Sequence, residues 1–290
     1  MTATGGAVRE FAPAKVNLAL HVTGRRGDGY HLLDSFVVFL ATGDWLDSGP
    51  GEDLTLALKG PQADGIPVGD NLVLKAAAAL AEAAGQPGLG ASLVLEKHLP
   101  AAAGLGGGSS DAAAALRALN RLWGLGLESS ELMAVGDRIG ADVPVCVAAA
   151  SSRIRGVGEH VTPLPRLPEV HLVLANPARA LSTASVFAGL AGADNEGLPE
   201  MPGRWQDAAH LAAYLRGCRN DLEAPAMAAE PVIAEVVAAL KAQPACLLAR
   251  MSGSGATCFG LFARPEAAAA AGAALTRQHP GWWVAAAAVI

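Results

Sequence analysis

The sequence predicts an α+β protein of two domains, and three observations carry that expectation. Alternating polar and apolar stretches crowd the first hundred residues. Alanine-rich helical segments are mixed with them without regular strand–helix–strand alternation. A stretch at 151–169, carrying Gly156, Gly158, Pro163, Pro165 and Pro168, reads as a crossing between domains. At 290 residues the chain can hold one large domain or two modest ones and bury a sizeable core.

Residues 11–22, FAPAKVNLALHV, set Ala12, Ala14, Val16, Leu18, Leu20 and Val22 on one side and Lys15, Asn17 and His21 on the other. That is a strand with one face on a core and one polar face. GRRGDG at 24–29 is a turn with Asp28-Gly29 as its hairpin signal, and 30–42 returns as a second strand. DLTLALK (53–59) and ASLVLEK (91–97) also alternate, and NLVLKAAAALAEAAG (71–85) between them is a helix stopped by glycine. Residues 111–123 form a helix that is apolar almost all round and therefore buried. ESSELMAVGDRIG (128–140) is a second helix with Ser129 or Ser130 as its cap. Pro144 pushes Val143, just after Asp142, toward an extended conformation. Beyond the crossing come a strand at 170–175, a helix near 182–190 and a polar loop at 192–204. Helices at 206–217 and 230–242, a strand at 257–263, a helix at 265–278 and a strand at 282–290 complete the chain.

Composition excludes several functions. A net charge of −6 with no Lys/Arg cluster leaves no basic face for nucleic acid. Cys146, Cys218, Cys246 and Cys258 have no C-x-x-C spacing and read as small buried hydrophobes in a reducing compartment. The seven histidines include no H-E-x-x-H, so a metal hydrolase finds no support. The N-terminus MTATGGAVREF has neither the basic nor the apolar region of a secretory signal, and stretches such as 266–275 are too short to span a bilayer. The expectation is a cytoplasmic protein, a monomer or weak homodimer, that touches neither nucleic acid nor membrane.

PAAAGLGGGSSDAAAAL (100–116) places Gly104, Gly106, Gly107 and Gly108 ahead of Ser109, Ser110 and Asp111 at a helix start. One glycine is enough for a serine-capped turn; four fit backbone that must approach something closely. Free N–H groups of such a loop and of the helix N-terminus converge on a phosphate. The P-loop pattern fails because no lysine follows, and the dinucleotide pattern G-x-G-x-x-G fails because Ser109 holds the sixth place.

This stretch resembles the second motif of the GHMP kinase superfamily, and MSGSGATCFGLF (251–262) resembles its third, glycine-rich motif. APAKVNLALHV, GRRGDGYHLLDS, GADVPVC and RNDLE are similar to the branch of that superfamily that acts on a cytidine-diphosphate-linked methylerythritol. The resemblance implies a two-domain GHMP kinase fold with a cleft between the domains. It divides the chain into residues 1–154, carrying the ATP phosphate loop, and 155–290, contributing to the substrate site. ATP and Mg²⁺ are the implied cofactors, and a small-molecule cytidine-diphosphate substrate is the implied partner.

The same resemblance assigns roles. Lys15 and Asp142 would be catalytic, Asp142 accepting the hydroxyl proton while Lys15 polarises the pair and offsets charge on the transferred group. Read alone, Lys15 is a solvated strand lysine and Asp142 a turn residue. Pro100, Gly104, Leu105, Gly106, Gly107, Gly108, Ser109 and Ser110 would hold the ATP phosphates, with Ser109 or Ser110 facing Mg²⁺; no protein metal ligand beyond these has a place in the pattern. Asn17 shares the polar side of the strand with Lys15 and joins the substrate site. Tyr30 would stack on the cytosine, His31 bond its edge, Phe187 cover its other side and Thr183 touch the diphosphate. Gly253, Ser254 and Gly255 would pack against the first domain near the substrate, or form a plain tight turn. The alternatives are a homoserine- or mevalonate-type kinase, or a silent binding protein on the same fold. DGYH speaks against the first, since those kinases need no cytosine pocket.

Overall fold

The computed structural model describes residues 6–290. Two compact units make up the chain. One takes the chain up to Ala14, with Gly43–Ala101 and Gly106–Ala150; the other takes Lys15–Thr42, Ala102–Leu105 and Ser151–Ile290. The units thus interleave in sequence, because the first two strands, β1 (Val8–Arg25) and β2 (His31–Gly49), each begin in one unit and end in the other.

In the first unit, Trp45–Gly49 of β2 pair antiparallel with a strand at Ala91–Glu96, and that strand pairs in parallel with β3 (Leu54–Lys59). The parallel pair needs a crossover, which α1 (Leu72–Ala83) supplies before β4 (Ala91–Glu96). Asn71 caps α1 by accepting the Val73 N–H, and Val73, Ala76, Ala77 and Leu80 bury its inner face. Next come α2 (Gly107–Leu122), α3 (Ser129–Asp137) and α4 (Val143–Ala148), with α2 packed on α1 and α4. Small residues allow this: all of Ala112, Ala113, Ala114, Ala115, Leu116, Ala118 and Leu119 are fully buried.

Two sequence expectations change here. Glu128, not Ser129 or Ser130, caps α3, in a reciprocal box with Glu131. Val143 is helical rather than extended, since Pro144 sits in the first turn of α4, where its missing N–H costs nothing. The C-terminus of α4 is closed by Arg117, whose guanidinium donates to the Cys146 and Phe11 carbonyls at 2.8 and 2.9 Å and pairs with Glu10 at 2.7 Å.

In the second unit, the 151–169 stretch is not a bare crossing. It contains β5 (Ser152–Gly156), antiparallel to Leu33–Val37 of β2, and β6 (His160–Pro163), paired with β5. There follow β7 (His171–Asn176), α5 (Thr183–Ala188), α6 (Ala208–Arg216), α7 (Glu223–Ala229), α8 (Val232–Lys241), β8 (Leu248–Met251), β9 (Cys258–Phe262), α9 (Pro265–Gln278) and β10 (Trp283–Ala288). An antiparallel sheet runs β10-β7-β9-β8, with α8 and α9 packed on it around Val173, Ala175, Ile233, Val236, Leu240, Phe262 and Leu275. Helix α7 and strand β8 are absent from the sequence reading. The first is seven residues with an internal proline, and the second is four residues broken by Arg250. Arg250 is tolerated there because its guanidinium serves the Leu18, Leu215 and Cys218 carbonyls.

Strand β1 corrects a further expectation. Residues 12–22 are buried on both faces, so the side carrying Lys15, Asn17 and His21 does not face water. His21 is satisfied twice: its Nε2 accepts the Arg219 N–H at 2.8 Å, which leaves Nδ1 to donate to the Glu196 carbonyl at 2.9 Å. Among the described residues, no helix is long and apolar enough to cross a membrane.

Candidate active site

In the first unit the glycine stretch is part of a helix rather than a loop ahead of one. Gly106 takes the left-handed conformation at φ 60° as N-cap, and Gly107, Gly108 and Ser109 form the opening turn of α2. Gly106, as N-cap, brings no side chain to cap that turn. Ser110, fully buried, donates its hydroxyl to the Pro13 carbonyl at 2.8 Å instead. The first N–H groups of an α-helix have no intrahelical acceptor, so an anion is the natural partner of this turn. Asp142 lies in the same unit as N-cap of α4, half-buried, its carbonyl accepting the Cys146 N–H. Pro100 precedes the glycine stretch and is also half-buried.

The second unit holds Gly104 and Leu105, and there a glycine is obligatory. Gly104 has φ 73°, and a Cβ on it would stand 2.6 Å from the Ser252 carbonyl oxygen. Leu105 accepts the Lys15 N–H at 2.9 Å, and Lys15 is 4% exposed. Asn17 is buried, and its Nδ2 donates to Ser35 Oγ at 2.7 Å, which in turn donates to the Ala19 carbonyl. The Asn17 amide nitrogen is thus engaged with β2.

The aromatic candidates also lie in this unit. Tyr30 is 63% exposed at the end of the β1–β2 hairpin. Asp28 accepts the Tyr30 N–H and binds Arg26, whose guanidinium lies 5.6 Å from the Tyr30 ring centre. His31 and Phe187 are brought together as a stacked pair, ring centres 4.9 Å apart at 26°. Burial, with the Arg25 charge beside it, holds His31 below the usual histidine range, so at neutral pH its ring has one donor and one acceptor nitrogen. Thr183, at the start of α5, shares a hydrogen bond of 2.9 Å with Ser254 of the third glycine motif. Among the described residues, no cluster of three His, Cys, Asp or Glu side chains could hold a metal ion.

Comparison with known proteins fits this arrangement. The family profile described as GHMP kinases N terminal domain matches residues 71–150, and the one described as GHMP kinases C terminal matches 198–281. A protein of Cereibacter sphaeroides named 4-diphosphocytidyl-2-C-methyl-D-erythritol kinase is 57% identical over 278 residues, 95% of this chain and 96% of its own. The chain belongs to the GHMP kinase family. A Paramagnetospirillum magneticum protein of the same name is 54% identical across 94% of this GHMP kinase and 95% of its own length. A crystal structure titled 4-(cytidine 5'-diphospho)-2C-methyl-D-erythritol kinase superposes with a TM-score of 0.78 at 38% identity, covering 97% of this chain and 99% of that one. Homoserine kinase from Cytophaga hutchinsonii, 17% identical with a TM-score of 0.71 over 100% and 96% of the two chains, shares the fold.

The GHMP kinase also has a charged cluster that the sequence reading does not contain. Lys97, 3% exposed, pairs with Asp44 and, at 2.7 Å, with Asp111 in the opening of α2. Asp44 also accepts the N–H groups of His98 and Leu99 at 2.5 and 2.9 Å. The Oδ1 of Asp111 is buried with no hydrogen-bond partner among the described residues. Burial pushes the Asp111 carboxyl up to about 7; the Lys97 ammonium opposes the rise and the Asp44 charge adds to it. A carboxyl raised in the folded state stabilises fully below its unfolded pKa and loses that contribution as pH climbs through the folded one. Wild-type stability therefore falls relative to Asp111→Asn between about pH 4 and pH 8, a trend that urea midpoints across this range measure. The only sequence signal for the cluster is a lysine closing the alternation of ASLVLEK and an aspartate opening an alanine run.

Proposed function

We propose that this GHMP kinase transfers the γ-phosphoryl group of ATP to the 2-hydroxyl of 4-diphosphocytidyl-2-C-methyl-D-erythritol. The observation that carries the reading is the 57% identity, across nearly the whole of both chains, with a relative bearing that name. The site chemistry supports it. The ATP phosphates lie on the amides opening α2, with Pro100, Gly104, Leu105, Gly106, Gly107, Gly108, Ser109 and Ser110 as the phosphate-binding stretch. Mg²⁺, when bound with ATP, would supply charge neutralisation to the phosphates. Ser109 is the hydroxyl assigned to face it, since that of Ser110 is buried on the Pro13 carbonyl.

Asp142 accepts the proton of the attacking hydroxyl and orients it in line. Lys15, taken out of water, holds an ammonium where charge spreads during transfer, and its low exposure makes that charge count for more than it would in solvent. Tyr30 offers an exposed ring for the cytosine face, with Phe187 on its other side, and the neutral His31 ring reads the base edge. Thr183 meets the diphosphate, and Asn17 acts from its place on β1.

A coupled ADP-release assay with the cytidine-diphospho substrate, mevalonate and homoserine tests the reading: turnover is expected with the first alone. Activity confined to mevalonate or homoserine would overturn it. The base pocket makes a separate prediction. The cytidine compound binds at least tenfold more tightly than its uridine analogue in calorimetric titration, because the wrong edge leaves a His31 nitrogen unpaired. Equal affinities remove His31 from base recognition.

A further inference from the structure

RNDLE (219–223) and the third glycine motif have no place in the chemistry above, yet their hydrogen bonds lead to the strand segment that bears Lys15. Ser252 is fully buried. Its Oγ accepts the Asn17 N–H at 3.1 Å and donates to the Gly104 carbonyl at 2.9 Å. One hydroxyl therefore ties β1 to the first half of the phosphate stretch. Along the same edge of this segment, Lys15 donates its N–H to the Leu105 carbonyl, and Thr257 donates its N–H to the Ala103 carbonyl at 3.2 Å. Lys15 and Asn17 are thus held along one edge of β1 by two short stretches, 103–105 and 252–257, that are themselves stapled together.

The turn carrying Ser252 is in turn fixed by Asn220. Its Nδ2 donates to the Met251 and Gly253 carbonyls at 2.9 and 2.8 Å, while its Oδ1 accepts the Leu222 N–H. Glu223 accepts the Met251 N–H at 2.8 Å. Packing leaves no slack: a Cβ on Gly253 would lie 3.2 Å from Asn17 Oδ1 and 3.3 Å from the Gly104 carbonyl oxygen.

We propose that Ser252 is a positioning residue for Lys15, setting the place of its ammonium through the β1 backbone, and that Asn220 holds Ser252 in register. The inference rests on the catalytic role given to Lys15 above. A misplacement of about 1 Å in a reacting constellation costs about 10²-fold in rate while leaving substrate contacts largely intact.

The test is a double-mutant cycle in single-turnover and steady-state assays. Ser252→Ala is expected to lower kcat about 10- to 100-fold with the KM of both substrates within about threefold of wild type. In a Lys15→Met background the same change is expected to cost less than about twofold, because its effect passes through the missing ammonium. Equal losses in both backgrounds, or a loss confined to KM, would overturn the proposal. Should Ser252→Ala not fold, the cycle is read with Asn220→Ser, which trims the bracket and spares the clamp, with the same expected pattern. Wild-type turnover in Lys15→Met would instead remove the role of Lys15, and the inference with it.

Discussion

Asp142→Asn lowers kcat by about 10²- to 10⁴-fold, the range a positioned general base contributes, with the melting temperature held within a degree or two. The start of α4 rests on backbone contacts and on Pro144 in the first turn, and the substitution is nearly isosteric, so the fold is expected to survive it. Asparagine keeps the shape and can still orient a hydroxyl, but it cannot take a proton. A fall near the lower end of the range, with an unchanged pH profile, assigns Asp142 to orientation; a larger fall with loss of the acid limb assigns it to proton transfer. Near-normal turnover removes it from the mechanism.

Lys97→Met destabilises the fold by about 3–5 kcal/mol, a third or more of the stability of an ordinary domain. The Lys97 ammonium lies between two buried carboxylates, and methionine leaves Asp44 and Asp111 facing each other without it. Adding Asp111→Asn to the variant restores part of the loss at alkaline pH, where Asp111 would otherwise ionise beside Asp44. Urea unfolding of the three proteins measures both steps. A Lys97→Met protein as stable as wild type would show that the cluster contributes nothing net. Because Asp111 sits at the opening of α2, the double variant also reports how far the glycine-rich first turn depends on the charges beneath it.

Much of the architecture was legible in the residues. The alternation of DLTLALK and ASLVLEK marks half-buried strands, FAPAKVNLALHV is a strand by the same pattern although both its faces are buried, and the alanine runs mark helices that pack closely. Capping residues and short elements were harder to read. Glu128 outcompetes two serines for α3 because Glu131 answers it across the turn, a reciprocity that composition alone does not reveal. The hairpin of β5 and β6 hid in a Gly/Pro-rich stretch because β5 is held by β2, far away in sequence, and β6 in turn by β5. Within the candidate site, the glycine stretch stood out in the sequence through its excess of backbone freedom. The hydroxyl of Ser252, the amide of Asn220 and the Lys97 cluster did not, since each acts on partners from about 14 to 235 positions away, and no local pattern encodes such distances.

From Ser110 to Leu116, seven successive side chains of α2 have at most 3% of their surface exposed. Most helices keep a wet side on which sequence can drift harmlessly. Here nearly two full turns lack one, so a saturation library across these codons should return few survivors, and those mostly Ala, Ser or Gly. Enlarging any of the four central methyl groups forces neighbours off their rotamers at about 1–3 kcal/mol apiece. The element that opens on a run of permissive glycine backbone continues into side chains that tolerate almost no change.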